Sequence, residues 1–239
     1  MNYQIYYINL DTSIKRKNFM ENQFHKLGVQ AIRVSAVNGR QLDENTVIKL
    51  NKRTVFSHFS SPLAGELGLF LSYKKIFSLI ENQKEDYAIL LEDDILIKND
   101  FFENIEAILS KLDTASILDI SGRSGFWKKT SVPVFKDVLM QQFSTPALGT
   151  TGRIYGKIAA KNINQAMPYY LAPIDVMLQK IYQHKVSVYS LNKSYVCHSE
   201  ELVGGTTIQV KSIKWWKKFF RELKRPFWRL SIKLGNLCR

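Results

Sequence analysis

Three adjacent acids, Glu92-Asp93-Asp94, follow a continuous apolar run, Tyr87-Ala88-Ile89-Leu90-Leu91. Such a run is expected of a strand buried on both faces. Carboxylates crowded at its end repel one another. They are tolerable if solvated, or if a divalent cation lies against them. Alternation along an extended chain puts Glu92 and Asp94 on one side and Asp93 on the other. Hard ions such as Mg²⁺ and Mn²⁺ take one or two carboxylates together with phosphate oxygens. A cation held there would neutralise a diphosphate leaving group. Ligands of open α/β sheets also bind outside the carboxyl ends of strands, where this cluster lies. The plain alternative is a set of acids that only solubilises a strand end. Hydrolases and phosphotransferases use the same placement.

The elements that must position these acids are readable from periodicity. Residues 4–10 are rich in β-branched and aromatic types, as in a buried strand. Asp11-Thr12-Ser13 offers a helix N-cap; Phe19, Met20, Phe24 and Leu27 follow at helical spacing, and Gly28 suits the position after the last turn. A second strand covers residues 31–36 and ends at the Asn38-Gly39 turn, making a β-α-β opening. Residues 40–62 read as polar and irregular, and 65–81 as a helix. Asn99-Asp100 caps a helix whose stripe is Phe101, Phe102, Ile105, Ile108, Leu109 and Leu112. Strands are expected at 116–120, 138–143 and 186–191, and helices at 157–167 and 173–184. The alternation predicts an α/β domain with a mostly parallel central sheet.

The chain has 239 residues, 45% of them hydrophobic, which suffices for a real core. Its two cysteines, Cys197 and Cys238, suggest neither a disulfide framework nor a zinc site. No secretory signal or spanning apolar stretch is visible, so a cytoplasmic location is expected. The net charge is +13, unevenly spread. Residues 211–239 hold ten basic residues and one acid, Glu222, a net +9 that leaves +4 for the body. The body is therefore not a nucleic-acid-binding surface by composition. In the tail, Trp215, Trp216, Phe219, Phe220, Leu223, Phe227, Leu230 and Leu234 build one apolar helical face, with Pro226 set to kink it. A basic amphipathic helix of this kind lies in a membrane interface and is drawn to anionic lipids of the inner membrane. Docking on the body or on a second copy is the alternative. The expected division is a catalytic domain over 1–210 and a membrane-associating tail over 211–239.

A series of short blocks carries a family resemblance. Tyr7-Ile8-Asn9-Leu10-Asp11 with Arg16 opens it, and Ala36-Val37-Asn38-Gly39 follows the second strand. Gly65-Glu66-Leu67-Gly68 with Leu71-Ser72 comes next, then Leu91-Glu92-Asp93-Asp94. Gly149-Thr150, Tyr155, Ala159-Ala160 and Pro173-Ile174-Asp175 complete it. In order and spacing these blocks resemble glycosyltransferase family 25, the bacterial lipopolysaccharide or lipooligosaccharide glycosyltransferases. The ordered series is far more specific than any single motif. One departure stands out: the family usually has a histidine after the serine of its third block, and here that position is Tyr73. The resemblance implies a GT-A-like nucleotide-sugar fold, a divalent cation (Mn²⁺, or else Mg²⁺) and inversion at the anomeric carbon. It further implies a hexose, galactose or glucose, moved from a UDP-sugar to a lipooligosaccharide acceptor.

Seen with that resemblance, individual residues acquire candidate roles beside plainer ones. Asn9, Asp11 and Arg16 lie at the first strand-to-helix turn, where a helix N-terminus favours a phosphate. They read as nucleotide contacts, or as an N-cap set with a surface arginine. Asn38-Gly39 forms part of a donor pocket or only a turn. Glu66 contacts the donor, or simply opens a helix where negative charge is favourable. Asp93 joins the donor set, with Glu92 and Asp94 as metal ligands. Asp175 is the general base that an inverting transfer needs, or a helix-capping aspartate. His198, after Tyr195-Val196-Cys197, completes the metal site or serves in packing. The enzyme is expected on the cytoplasmic face of the inner membrane. Two rivals are a metal-dependent nucleotide-sugar hydrolase and a non-catalytic, membrane-bound glycan-binding protein; the intact acidic cluster argues against the second.

Overall fold

The computed structural model describes residues 2–50, 62–199, 226–227 and 229–237. The chain opens with β1 (Tyr3–Asn9), α1 (Ile14–Lys26) and β2 (Ile32–Ser35). A 3₁₀ turn at Gly39–Gln41 leads to α2 (Glu44–Leu50), a helix in a stretch that reads as irregular. Next come α3 (Ala64–Asn82), β3 (Tyr87–Leu91) and the short β4 (Ile95–Ile97). The expected helix over 101–112 is two pieces, α4 (Asp100–Glu103) and α5 (Ile105–Leu109). Then follow β5 (Ser116–Asp119), β6 (Phe126–Phe135), β7 (Val138–Thr145), β8 (Gly152–Gly156) and α6 (Lys157–Ala166). The segment 173–184 divides into α7 (Ile174–Leu178) and α8 (Ile181–His184), ahead of β9 (Ser187–Leu191) and β10 (Val196–His198).

Among the described residues, eight strands form one sheet in the order β2-β1-β3-β8-β5-β9-β7-β6, and β10 pairs with β4 in a second, two-stranded sheet. The expectation of a mostly parallel sheet is corrected here. β1/β2, β1/β3 and β5/β9 are parallel, whereas β3/β8, β5/β8, β7/β9 and β6/β7 are antiparallel. Two of these antiparallel pairs come from β8, which slots between β3 and β5 and runs against both, and the others from the β6–β7 hairpin lying along β9. The β8 sequence, Gly-Arg-Ile-Tyr-Gly, is short and carries a charge, so it does not read as a central strand.

Side chains alternate across the sheet as the pleat requires. Tyr6, Ile8, Ala88 and Leu90 face a core shared with α3, α6, α7 and α8. Ile5, Tyr7, Ile89 and Leu91 face the other layer, with Met20 and Phe24 of α1 and with Phe101 and Ile108. Both faces are covered, which explains the unbroken apolar run of β3.

The expected boundary near residue 210 and the stripe from Trp215 to Leu223 lie outside the described residues. The tail's final turns are described: residues 226–227 and 229–237 are helical, and Ile232 and Asn236 are only 1% and 2% exposed. Asn236 Nδ2 donates to Ser144 O (2.6 Å) and Gln179 O (3.0 Å), and its Oδ1 accepts from Tyr182 N (3.2 Å).

The turn after β2 is wedged against the start of α3. Ser72 Oγ accepts from Val37 N (2.8 Å) and donates to Gly68 O (2.7 Å). Two glycines allow this approach: a Cβ on Gly39 would overlap Ala64 O, and one on Gly68 would overlap Val37 O. Both obstacles are backbone and cannot swing aside. Gly39→Ala should therefore cost about 2–3 kcal/mol, the scale of overpacking, read as a lower midpoint in urea denaturation. An unchanged midpoint would contradict the close approach.

Candidate active site

The carboxyl ends of β1 and β3, the turn after β2, the N-terminus of α1 and His198 surround a cleft of about 500 Å³. Its wall includes Asn9, Thr12, Ser13, Arg16, Asn38, Gly39, Arg40, Glu92, Asp93, Asp94 and His198. Most of the residues expected to carry chemistry therefore meet in one place.

The three acids part company as their alternation predicts. Asp93 turns toward β1 and α1, accepting from Asn9 Nδ2 and Arg16 Nη1, both at 2.7 Å. Asp94 Oδ2 accepts from the same Arg16 nitrogen at 2.9 Å. Burial alone would make the Arg16 guanidinium easier to deprotonate, but its bonds to Asp93 and Asp94 outweigh that and raise its pKa. Asn9 spends its amide inside the protein: its Nδ2 also donates to Ser13 O (3.2 Å), and its Oδ1 accepts from Arg33 Nε (2.9 Å). It braces Asp93 instead of offering a free amide to a ligand.

Glu92 and Asp94 point the other way, toward His198. Atoms of the three residues lie within 4.8 Å of one another. The pairing of β10 with β4 brings the histidine there. His198 is opposite Ile95, and Ser199 N donates to Asp94 O (2.8 Å). Gln23 of α1 pins β4 from the other side, accepting from Ile97 N (2.9 Å) and donating to Ile95 O (2.8 Å). Asp94 Oδ1 is buried with no hydrogen-bond donor among the described residues, and His198 Nδ1 stands 3.6 Å from it. Burial pushes the Glu92 carboxyl above the usual range, against a bond from Thr150 that draws it down. Two carboxylates and one imidazole, one oxygen lacking a partner, fit Mn²⁺ or Mg²⁺ completed by oxygen ligands.

Gly149-Thr150 is one of the family-like blocks, but sequence reasoning missed the support its loop gives this triad. Glu92 N donates to Thr151 O (3.1 Å), Thr150 Oγ1 donates to Glu92 Oε1 (2.5 Å), and Thr151 Oγ1 bonds His198 Nε2 (2.8 Å). Arg123 holds the loop through Leu148 O (2.9 Å) and the Thr151 hydroxyl. The block marks Thr150 without a role, and nothing in the spacing marks Thr151 or Arg123 in advance.

Other expected residues are placed elsewhere. Asp11 accepts from Arg33 Nη2 (2.5 Å) and Ser35 Oγ (2.8 Å), and its side chain is 70% exposed. Glu66 Oε2 accepts from Leu63 N (2.8 Å) and Tyr170 Oη (3.2 Å), closing the start of α3. Neither lines the cleft. Asp175 lies half-buried in the first turn of α7, accepting from Gly149 N (3.1 Å) and Val176 N (2.9 Å). It thus touches the loop of Thr150 and Thr151 but is not part of the cleft wall. Tyr73, where the family usually has histidine, is buried in the core with its ring edge-on to Phe77, and burial raises its phenol well above the ordinary value.

A mixed α/β sheet with acids and a histidine converging at the strand ends defines an α/β protein with a candidate metal centre. The family model for glycosyltransferase family 25 (LPS biosynthesis protein) matches residues 2–189, and the chain belongs to that family. Among similar proteins, a glycosyltransferase 25 family member of Drosophila melanogaster is 26% identical over 73% of this chain and 30% of its own length. Procollagen galactosyltransferase 1-B of Xenopus laevis is 25% identical over 78% of this chain and 32% of its own. Human procollagen galactosyltransferase 2 is 24% identical over 78% and 31%. The chain thus spans under a third of the length of these relatives. The crystal structure of A197 from STIV aligns at a TM-score of 0.43 and 14% identity, over 90% of this chain and 98% of that one.

Asp94→Asn should lower Mn²⁺ affinity by about 10² or more, beyond the range seen when a metal ligand's supporting partners are lost. Isothermal titration checks this, with circular dichroism confirming an intact fold. Affinity within a few-fold of wild type would remove Asp94 from the metal site.

Proposed function

We propose that this chain is a metal-dependent, inverting glycosyltransferase of the GT-A type. It moves a hexose, galactose or glucose, from a UDP-sugar to a lipooligosaccharide or lipopolysaccharide glycan at the cytoplasmic face of the inner membrane. The observation that carries the reading is the convergence of Glu92, Asp94 and His198 on a cleft of nucleotide-sugar size. Family membership supports a nucleotide-sugar donor and a glycan acceptor, and the family's description supports lipopolysaccharide as the acceptor class. Relatives named procollagen galactosyltransferases support a hexose.

A divalent cation bound by the triad would supply charge against the departing diphosphate. The chain's own groups do the rest. Thr12 and Ser13, at the N-terminus of α1, face the cleft where a phosphate is favoured. The strip from Ala36 to Arg40, with Leu69 opposite, offers the wall for base and ribose. Asn9 and Arg16 hold Asp93, so the turn carrying Glu92 and Asp94 keeps its shape through the reaction. Asp175 takes the proton of the acceptor hydroxyl as its oxygen attacks the anomeric carbon opposite the leaving UDP. Its support is its position against the loop that carries Thr150 and Thr151.

The direct test is a donor screen by mass spectrometry, with purified protein, Mn²⁺ and truncated lipooligosaccharide. One UDP-hexose should add a single hexose, only when acceptor is present. Release of free hexose at full rate without glycan would favour the hydrolase instead. Asp175→Asn should reduce kcat by about 10², the scale of general-base loss, with donor Kd unchanged. A collapse of donor affinity would move Asp175 out of the base role and into holding the loop.

A further inference from the structure

The C-terminal helix is two-faced in a way that its sequence alone leaves open. One face is clamped to the body by Ile232 and the three hydrogen bonds of Asn236. Gly235 permits the contact, since a Cβ there would lie 2.7 Å from the Tyr182 ring. The opposite face carries Phe227, Leu230, Leu234 and Leu237, which are 75%, 46%, 53% and 52% exposed. Their spacing of three, four and three keeps them within one narrow arc of an α-helix. Four large apolar side chains in one exposed row are more than the scattered apolar residues normal on a surface.

The flank of this helix meets the start of β6. Arg229 lies over the Phe126 ring at 4.2 Å and Lys233 over the Trp127 ring at 4.6 Å. Both rings are themselves 44% exposed. β6 is an edge strand of the sheet and is exposed from Phe126 to Pro133. The β6–β7 hairpin carries Lys128, Lys129 and Lys136 against the single acid Asp137. Helix and hairpin thus share one surface, apolar and aromatic at its centre and basic around it.

We propose that this composite surface docks the catalytic body on an anionic lipid bilayer. The reading rests on the membrane-face location proposed above and goes beyond a detachable tail. The anchor is part of the body, held by Asn236, and the strand β6 is its second half. Charge complementarity commits it to anionic lipid: the tail from Lys211 carries a net +9, and the hairpin adds its lysines. Aromatic rings with basic neighbours suit the headgroup level, while the leucine row enters the acyl boundary. The orientation of the body on the membrane is then set by the fold and not by a flexible tether. Only three residues separate Asp119 at the end of β5 from Arg123, which bonds the Thr150–Thr151 loop, and Phe126 is three positions further on. The lipid surface and the site are thus joined by a short, hydrogen-bonded segment.

The test is vesicle co-sedimentation of the full chain, using phosphatidylglycerol with phosphatidylethanolamine against phosphatidylcholine alone. Wild type should bind the anionic vesicles, less strongly in high salt. Leu230→Glu with Leu234→Glu should weaken binding at least about tenfold, given the apolar burial lost. Lys128→Glu with Lys129→Glu should weaken it on anionic vesicles only. Both variants should keep transfer to a short soluble acceptor. Asn236→Ala should lower the unfolding midpoint by about 2–8 °C, the loss of a few buried hydrogen bonds in a chain of this size. Unchanged vesicle binding by the double leucine variant overturns the proposal. So does sedimentation velocity finding a dimer that this variant dissociates, with no vesicle binding by wild type. Wild type that binds vesicles but transfers no sugar to any acceptor would sink the catalytic reading and leave this surface standing.

Discussion

Asp93 and Asp94 share one guanidinium, and the geometry of the site follows from that. Arg16 Nη1 reaches both carboxylates, at 2.7 and 2.9 Å, from within α1. Without it, two adjacent and largely buried carboxylates would face each other unpaired. Removing one partner from a buried pair costs about 3–5 kcal/mol. The pairing draws Asp93 toward β1 and leaves one oxygen of Asp94 free on the opposite side, beside His198. Three carboxylates against that guanidinium leave an excess of negative charge, which a divalent cation matches. The repulsion that makes the Glu-Asp-Asp sequence costly is thus relieved partly by the fold, and a bound cation would relieve the rest.

Support for that arrangement comes from three directions. α1 provides Arg16 and Gln23, β10 provides His198, and the loop before β8 provides Thr150 and Thr151. None of these is near the acids in sequence, and the fold brings them together. The antiparallel insertion of β8 between β3 and β5 delivers the threonines, since it starts at Gly152, opposite Leu91. A sheet that continued parallel there would have put that loop at the other end of the domain. The same insertion leaves Asp175 hydrogen-bonded to Gly149, so the proposed base and the metal triad are linked through one loop.

Much of this was legible in the sequence, for physical reasons. The apolar run of β3, the opposite directions of Glu92 and Asp93, and the β-α-β opening all follow from strand period and capping residues. Asn38-Gly39 was readable as a turn, though its tight packing on Gly68 was not. What escaped were features set by long-range pairing. β10 is three residues long and gains its meaning only by pairing with β4. β6 is exposed on both faces from Phe126 to Pro133 and mixes aromatics, lysines and a proline without a regular alternation, and so reads as loop. Asp11 and Glu66 look like site residues by motif, but local partners, Arg33 with Ser35 and the start of α3, account for their bonds. Asn9 belongs to the site, yet as a brace for Asp93.

The central assertion is that Glu92, Asp94 and His198 hold one divalent cation at the nucleotide cleft. Crystals grown with Mn²⁺ and UDP, measured at the manganese absorption edge, test it most directly. The account predicts a single anomalous peak within coordination distance of Asp94 Oδ1, a His198 ring nitrogen and the diphosphate. A peak bound by Asp93 instead, or a diphosphate held with no metal beside His198, would contradict it.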